Sequence, residues 1–139
     1  MNLDINRYIG KWFEIARIKN EFEPNMTKVT ALYTLNEDGT IKVVNSGYFY
    51  NNYKEVIGKA TRTKENNLFK ISFFKNYETD YRVIFIDEEY KYALVGGNYS
   101  DYLWILSREN TLDESIINRL VNIAKENGYN VHKLEITEQ

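Results

Sequence analysis

Few side chains in this sequence are of types that carry out covalent or acid–base chemistry. There is no cysteine and a single histidine, His132. Thiolate nucleophiles, disulfides, cysteine-ligated metals and histidine-based triads therefore have no material to work with. Carboxylates remain. Glu14 or Asp80, with a nearby tyrosine, can act as a general base where desolvation raises a carboxyl pKa toward neutrality. No nucleophile–base pair and no oxyanion motif accompanies either one. Asp87-Glu88-Glu89 bunches three acids, which read as a solvated turn ahead of a metal site, and His132 reads as a surface or packing residue. The expectation is a protein that is not an enzyme and uses no metal and no cofactor.

Aromatic side chains are what the sequence has in quantity: 12 Tyr, 7 Phe and 2 Trp in 139 residues. A chain of that length forms one domain with enough interior for a core or an enclosed cavity. Eighteen basic against twenty acidic residues give a net charge of −2, which offers no long-range pull toward nucleic acid. No stretch approaches the roughly 20 apolar residues of a membrane-spanning helix. Met1 to Asn6 lacks the basic and apolar regions of a secretory signal.

These residues must be positioned by short β segments followed by one helix. Alternation is clearest in Val29 to Leu35, after which Asn36-Glu37-Asp38-Gly39 supplies turn chemistry, with Gly39 free to take positive φ. Ile41–Tyr50, Tyr53–Lys64, Leu68–Lys75, Tyr81–Asp87, Tyr90–Gly96 and Asp101–Arg108 follow, and Trp12–Lys19 precedes them. Regular spacing without intervening helices predicts an all-β antiparallel barrel or sandwich. The helix is expected over 112–127, opened by a Thr111–Glu114 capping box and ended by Gly128. Its stripe of Ile116, Leu120, Ile123 and Ala124 would pack on the sheet. Val131–Ile136 reads as a short closing strand.

Barrel or sandwich is decided by what the inward faces hold. Alternation places Glu14 and Ala16 inside, together with Ala31 and Tyr33, Val43, Asn45 and Gly47, Gly58 and Ala60, and Phe69 and Phe73. A dry core tolerates Glu14 and Asn45 poorly, because an unpaired buried polar group costs about 1–3 kcal/mol. A roomy, aromatic-walled pocket accommodates both, so a closed cup is the better reading. Tyr48-Phe49-Tyr50 with Tyr53 reads equally as the rim of a mouth or as strand surface. Phe22, after the first strand, reads as a mouth residue that gates access, touches lipid or joins two copies.

Three blocks carry a resemblance to a known family. Asp4 to Arg17, with Gly10-Lys11-Trp12 at its centre, is similar to the first block of the lipocalins, and is most like bacterial outer-membrane lipocalins and apolipoprotein D. Thr79-Asp80-Tyr81 is similar to the second block, and Asp101-Tyr102-Leu103-Trp104-Ile105-Leu106-Ser107-Arg108 to the third in its bacterial form. A lone G-x-W is weak, whereas three blocks in order with a helix after the third are specific, and the likeness spans nearly the whole chain.

The resemblance implies an eight-stranded up-and-down barrel, shut at one end by the N-terminal segment, with the helix packed outside. Trp12 would plug the closed end under Arg108, Gly10 would allow the turn into the first strand, and Asp80 and Tyr81 would lie at that same end, Asp80 in a turn. It implies pocket positions at Tyr33, Asn45, Phe73 and Trp104, to which the inward alternation adds Glu14, Phe69 and Ile71. Glu14 would meet a cationic headgroup, or be satisfied by a tyrosine or a buried water. The implied partner is a small hydrophobic or amphipathic ligand such as a fatty acid or lysophospholipid, carried by a monomer or homodimer that works close to a membrane. A lipid-processing enzyme and a filled barrel acting through its surface are the alternatives. Bacterial relatives carry a lipoprotein signal ending in a lipidated cysteine, and neither occurs in this sequence. The compartment is left open: soluble as written, periplasmic or outer-membrane-associated if a signal has been removed.

Overall fold

The computed structural model describes residues 1–18, 25–74 and 77–139. Lys19, Phe22 and Lys75, which the sequence reading assigned to strand ends and a mouth loop, lie outside them. The elements run α1 (Ile5–Tyr8), β1 (Gly10–Ile18), β2 (Met26–Leu35), β3 (Ile41–Phe49), β4 (Asn52–Arg62), β5 (Leu68–Phe74), β6 (Tyr77–Ile86), β7 (Tyr92–Gly96), β8 (Leu103–Ser107), α2 (Glu114–Glu126) and β9 (Leu134–Ile136). Antiparallel neighbours succeed one another from β2 round to β8 and β1, and β1 also pairs with β2. That second pairing closes an eight-stranded barrel, while β9 adds a ninth strand on β1. The strands are not stacked in two layers.

The turn chemistry works as expected at Gly39, whose φ of +88° lets the chain reverse between β2 and β3. Gly10 has φ +104°, and a Cβ there would stand 3.2 Å from Arg108 Nη1, so glycine both permits the bend into β1 and leaves room for the guanidinium. Several strands begin or end a few residues from where alternation placed them. β6 starts at Tyr77, and β7 starts at Tyr92 because Tyr90 turns at φ +57°. The short helix α1 was not anticipated; Asp4 caps it by accepting the Asn6 N–H at 3.0 Å.

One register irregularity corrects the inward list. Between Glu14↔Leu106 and Ala16↔Ile105, β1 carries one residue more than β8. The bulge reverses the alternation, as a one-residue slip must. Trp12 and Glu14 therefore face the barrel interior, whereas Ala16 and Ile18 face outward into the cluster beneath α2. Arg17 moves to the side that Ala16 was expected to hold, directly across from Trp104.

Helix α2 buries Leu120 and Ala124 against Ile15, Ala16, Leu94, Leu103 and Ile105 on the outside of the barrel. Its start corrects the capping reading: Asp113 is the cap residue and makes no side-chain bond, so Thr111 and Glu114 form no capping box. Its end follows the expectation. Gly128 sits at φ +88°, the Gly128 N–H donates to the Lys125 carbonyl and the Tyr129 N–H to the Ala124 carbonyl, each at 3.1 Å.

Candidate functional site

The closed end is built around Trp12, which is fully buried and donates its indole N–H to the Tyr8 carbonyl at 2.8 Å. Arg108 lies over the indole, with Cζ 3.8 Å from the ring centroid. Its remaining donors reach the carbonyls of Arg7 (2.7 Å), Tyr8 (3.2 Å), Ile9 (3.1 Å), Lys11 (3.0 Å) and Tyr90 (3.2 Å). Carbonyls at the end of α1 have no helical partners of their own, and one planar, multi-donor cation satisfies several of them at once. Burial lowers the Arg108 pKa from its ordinary value.

Above this plug stands a cluster of three tyrosines. The hydroxyl of Tyr81 hydrogen-bonds those of Tyr8 and Tyr33, the latter at 2.8 Å, and the Tyr8 and Tyr33 rings stack at 5.6 Å between centroids. Burial is the main reason the Tyr8 and Tyr81 hydroxyls titrate well above their ordinary value, reinforced by the neighbouring Tyr33. A void of about 10 Å³, bordered by this cluster with Phe69 and Val43, marks the floor.

Over the floor the barrel is hollow. A cavity of about 500 Å³ is walled by Ala31, Tyr33, Val43, Ile71, Phe73, Trp104 and Leu106, with Asn45, Ser46 and Thr30 as its polar interruptions. That volume lies in the roughly 300–1,000 Å³ range of small-molecule sites. The mouth is formed by Met26, Phe49, Lys54, Phe74, Tyr77 and Tyr102. Gly58 makes room for the Phe73 ring, since a Cβ there would come within 2.6 Å of it.

The structure thus brings Glu14, Tyr33, Asn45, Ile71, Phe73 and Trp104 to one cavity. Phe69 is not on that wall; it is buried lower down, against the small void. Asp80 is a clear correction. It stands within β6, not in a turn and not at the closed end, and it pairs with Lys70 across the β5–β6 ladder. Asp80 has the parity opposite to Tyr81, and it also borders the cavity. Glu14 is buried and its Oε2 accepts from Arg17 Nη1 at 2.8 Å and from Thr137 Oγ1 at 2.7 Å. Arg17 pairs with its charge and Thr137 adds a hydrogen bond, so Glu14 has partners within the protein. Asp87 accepts the Lys91 and Tyr92 N–H groups at 2.6 and 2.8 Å, so that acid is occupied in shaping its turn. His132 is exposed.

Sequence reasoning passed over several residues. Tyr102 shares the parity of Trp104 and was legible by alternation alone. Lys54 and Met26 reach the mouth from strand ends, where alternation loses force, whereas Phe49 lies in the stretch that the sequence offered as a rim or as strand surface. Arg17 was hidden by the bulge. Thr137 and Gln139 act through a feature with no local signal: beyond Phe13↔Thr30, β1 parts from β2. The segment after β9 covers the parting, with Gln139 Nε2 donating to the carbonyls of Glu14 (2.6 Å) and Val29 (3.1 Å). Among the described residues no group of three histidines or carboxylates is placed to hold a metal ion.

A calyx of antiparallel strands, plugged at one end and open at the other over an apolar hollow, defines a class of small-molecule binding barrels. The chain belongs to the lipocalin family, whose members bind small hydrophobic ligands: the lipocalin-like domain matches residues 3–139. It is 42% identical to the outer membrane lipoprotein Blc of Citrobacter freundii over 96% of this chain and 77% of that protein. It is 32% identical to apolipoprotein D of Macaca fascicularis, over 99% of this chain and 78% of that one. Among solved structures, lobster apocrustacyanin A1 superposes with a TM-score of 0.79 at 18% identity, covering 96% of this chain and 78% of that one. Its likeness is one of fold. Proteins of this family are binding or carrier proteins rather than enzymes.

Proposed function

We propose that this protein binds and carries a single-chain amphiphile, a fatty acid or lysophospholipid, with its acyl chain in the barrel cavity. One observation carries the reading: the interior is a hollow of about 500 Å³ with aromatic and aliphatic walls, not a filled core. Burying about 300 Å² of acyl surface at roughly 25 cal/mol per Å² contributes about 7 kcal/mol. That burial alone corresponds to a dissociation constant of about 10 μM, and because association costs offset part of it, micromolar binding requires headgroup contacts at the mouth in addition. Phe73, Ile71 and Trp104 would hold the chain, and Tyr33 and Asn45 would offer polar contacts along it. The mouth is the natural place for the headgroup. Lys54 is the lining cation there, and it has no ion-pair partner among the described residues.

Glu14 speaks against two other readings. A carboxylate already bonded to Arg17 and Thr137 is poorly placed to receive a cationic headgroup or to serve as a general base. Displacement of an environment-sensitive fluorescent fatty acid tests the assignment. Palmitate and lysophosphatidylcholine should displace the probe from the native protein, and Trp104→Ala should weaken probe binding by roughly tenfold with the barrel still folded. Unchanged affinity in that variant removes Trp104 from the site. No probe binding to the native protein removes the function.

A further inference from the structure

The two ends of the barrel carry different surfaces. Every exposed aromatic side chain among the described residues is at the open end: Tyr48, Tyr50 and Tyr53 around the β3–β4 hairpin, Phe74 and Tyr77 at the β5–β6 hairpin, and Tyr99 between β7 and β8. The turns at the closed end, 36–40, 63–67 and 87–91, contain one aromatic residue, Tyr90, and it is buried. Charge divides the same way. Those closed-end turns hold six acidic and two basic residues, a formal charge of −4. The described open-end residues, 25–28, 48–54, 74, 77–78 and 97–102, hold two of each and are neutral.

Tyr50 sharpens the contrast. It is the first residue of the two-residue loop between Phe49 and Asn52, it has φ +57°, and it is 76% exposed. Positive φ is strained for a bulky side chain and favours glycine. The ring meets Phe49 edge-on at 4.7 Å but is otherwise held out toward solvent. A strained, exposed aromatic at the tip of a hairpin is what function, not packing, would retain.

We propose that the open end docks onto a phospholipid bilayer, with Tyr50, Tyr53, Phe74, Tyr77 and Tyr99 at the level of the headgroups and the mouth facing the acyl chains. Tyrosine favours that interface because its ring is apolar and its hydroxyl is wet. A ring of aromatic tips around a hole suits a deformable surface better than a protein partner, which would have to cover the void. The acidic closed end is repelled by anionic lipid and the neutral mouth is not, so the field turns the molecule mouth-down. The inference extends the reading of the cavity as an amphiphile site, since docking brings the mouth to where such molecules reside.

Co-flotation with vesicles of phosphatidylcholine and phosphatidylglycerol tests it. The native protein should float with the vesicles, and Tyr50→Gly combined with Tyr99→Ser should reduce the bound fraction about fivefold or more. Tyr50→Gly alone should melt at the same or a higher temperature, because the strain is relieved, while its vesicle binding falls; a purely structural role would lower both. Displacement of the fluorescent fatty acid should be unchanged in these variants. Native protein that stays at the bottom of the gradient, or variants that float as well as it does, overturns the proposal. So does a dimer in sedimentation that the same variants dissolve without any vesicle binding, which would assign the tips to a second copy. Vesicle binding by a protein that takes up no fatty acid would leave docking standing and remove the cavity function, so the two failures are distinguishable.

Discussion

The molecule has two apolar interiors, and they are finished differently. Between α2 and the barrel wall, Leu120 and Ala124 meet Ala16, Leu94, Leu103 and Ile105, all fully buried. Inside the barrel, an apolar lining of comparable character encloses about 500 Å³ of space. The first interior gains dispersion contacts on all sides; the second forgoes many of them. Stability is thus concentrated under the helix and in the plugged floor, and the upper barrel is left available for a guest.

Matched truncations in the two interiors test this contrast. Leu120→Ala should lower unfolding free energy by about 2–5 kcal/mol in denaturant melts, because it opens a new cavity in a filled region. Its fatty-acid affinity should not change where the protein remains folded. Phe73→Ala should do the reverse, with a small loss of stability, since it only widens an existing hollow, and a several-fold loss of affinity. Equal stability losses at the two sites would mean that the interiors are packed alike.

A smaller effect belongs to the floor. Burial raises the Tyr8 and Tyr81 pKa values in the folded protein above those of the unfolded chain. The unfolded chain then releases these protons first as pH rises. Stability from this source is fully present below about pH 10 and declines above it. Thermal melts on the alkaline side should show that decline, and Tyr81→Phe should flatten it. A melting temperature indifferent to pH on the alkaline side would indicate a solvated floor.

Much of this architecture was legible in the chain. Alternation in Val29–Leu35, broken only by the exposed Leu32, and at Phe69, Ile71 and Phe73 indicated the facing of β2 and β5, and Gly128 indicated the end of α2. What alternation could not convey was a change of phase. The extra residue at the β1 bulge turned Ala16 outward and brought Arg17 to the side Ala16 was expected to hold, and nothing local to Glu14-Ile15-Ala16 announces it. The pairing of Glu14 with Thr137 joins residues 123 positions apart, so only closure of the barrel creates it. Asp80 was placed in a closed-end turn by the resemblance alone, yet the ladder with β5, including Lys70, extends β6 back to Tyr77.

Native mass spectrometry of the intact protein with palmitate and with lysophosphatidylcholine examines the hollow interior most directly. One bound chain per barrel is expected at micromolar ligand concentrations, with the adduct weakened in Phe73→Ala and retained in Tyr50→Gly. A folded protein that acquires no adduct, or one whose adduct is indifferent to Phe73, would contradict this expectation.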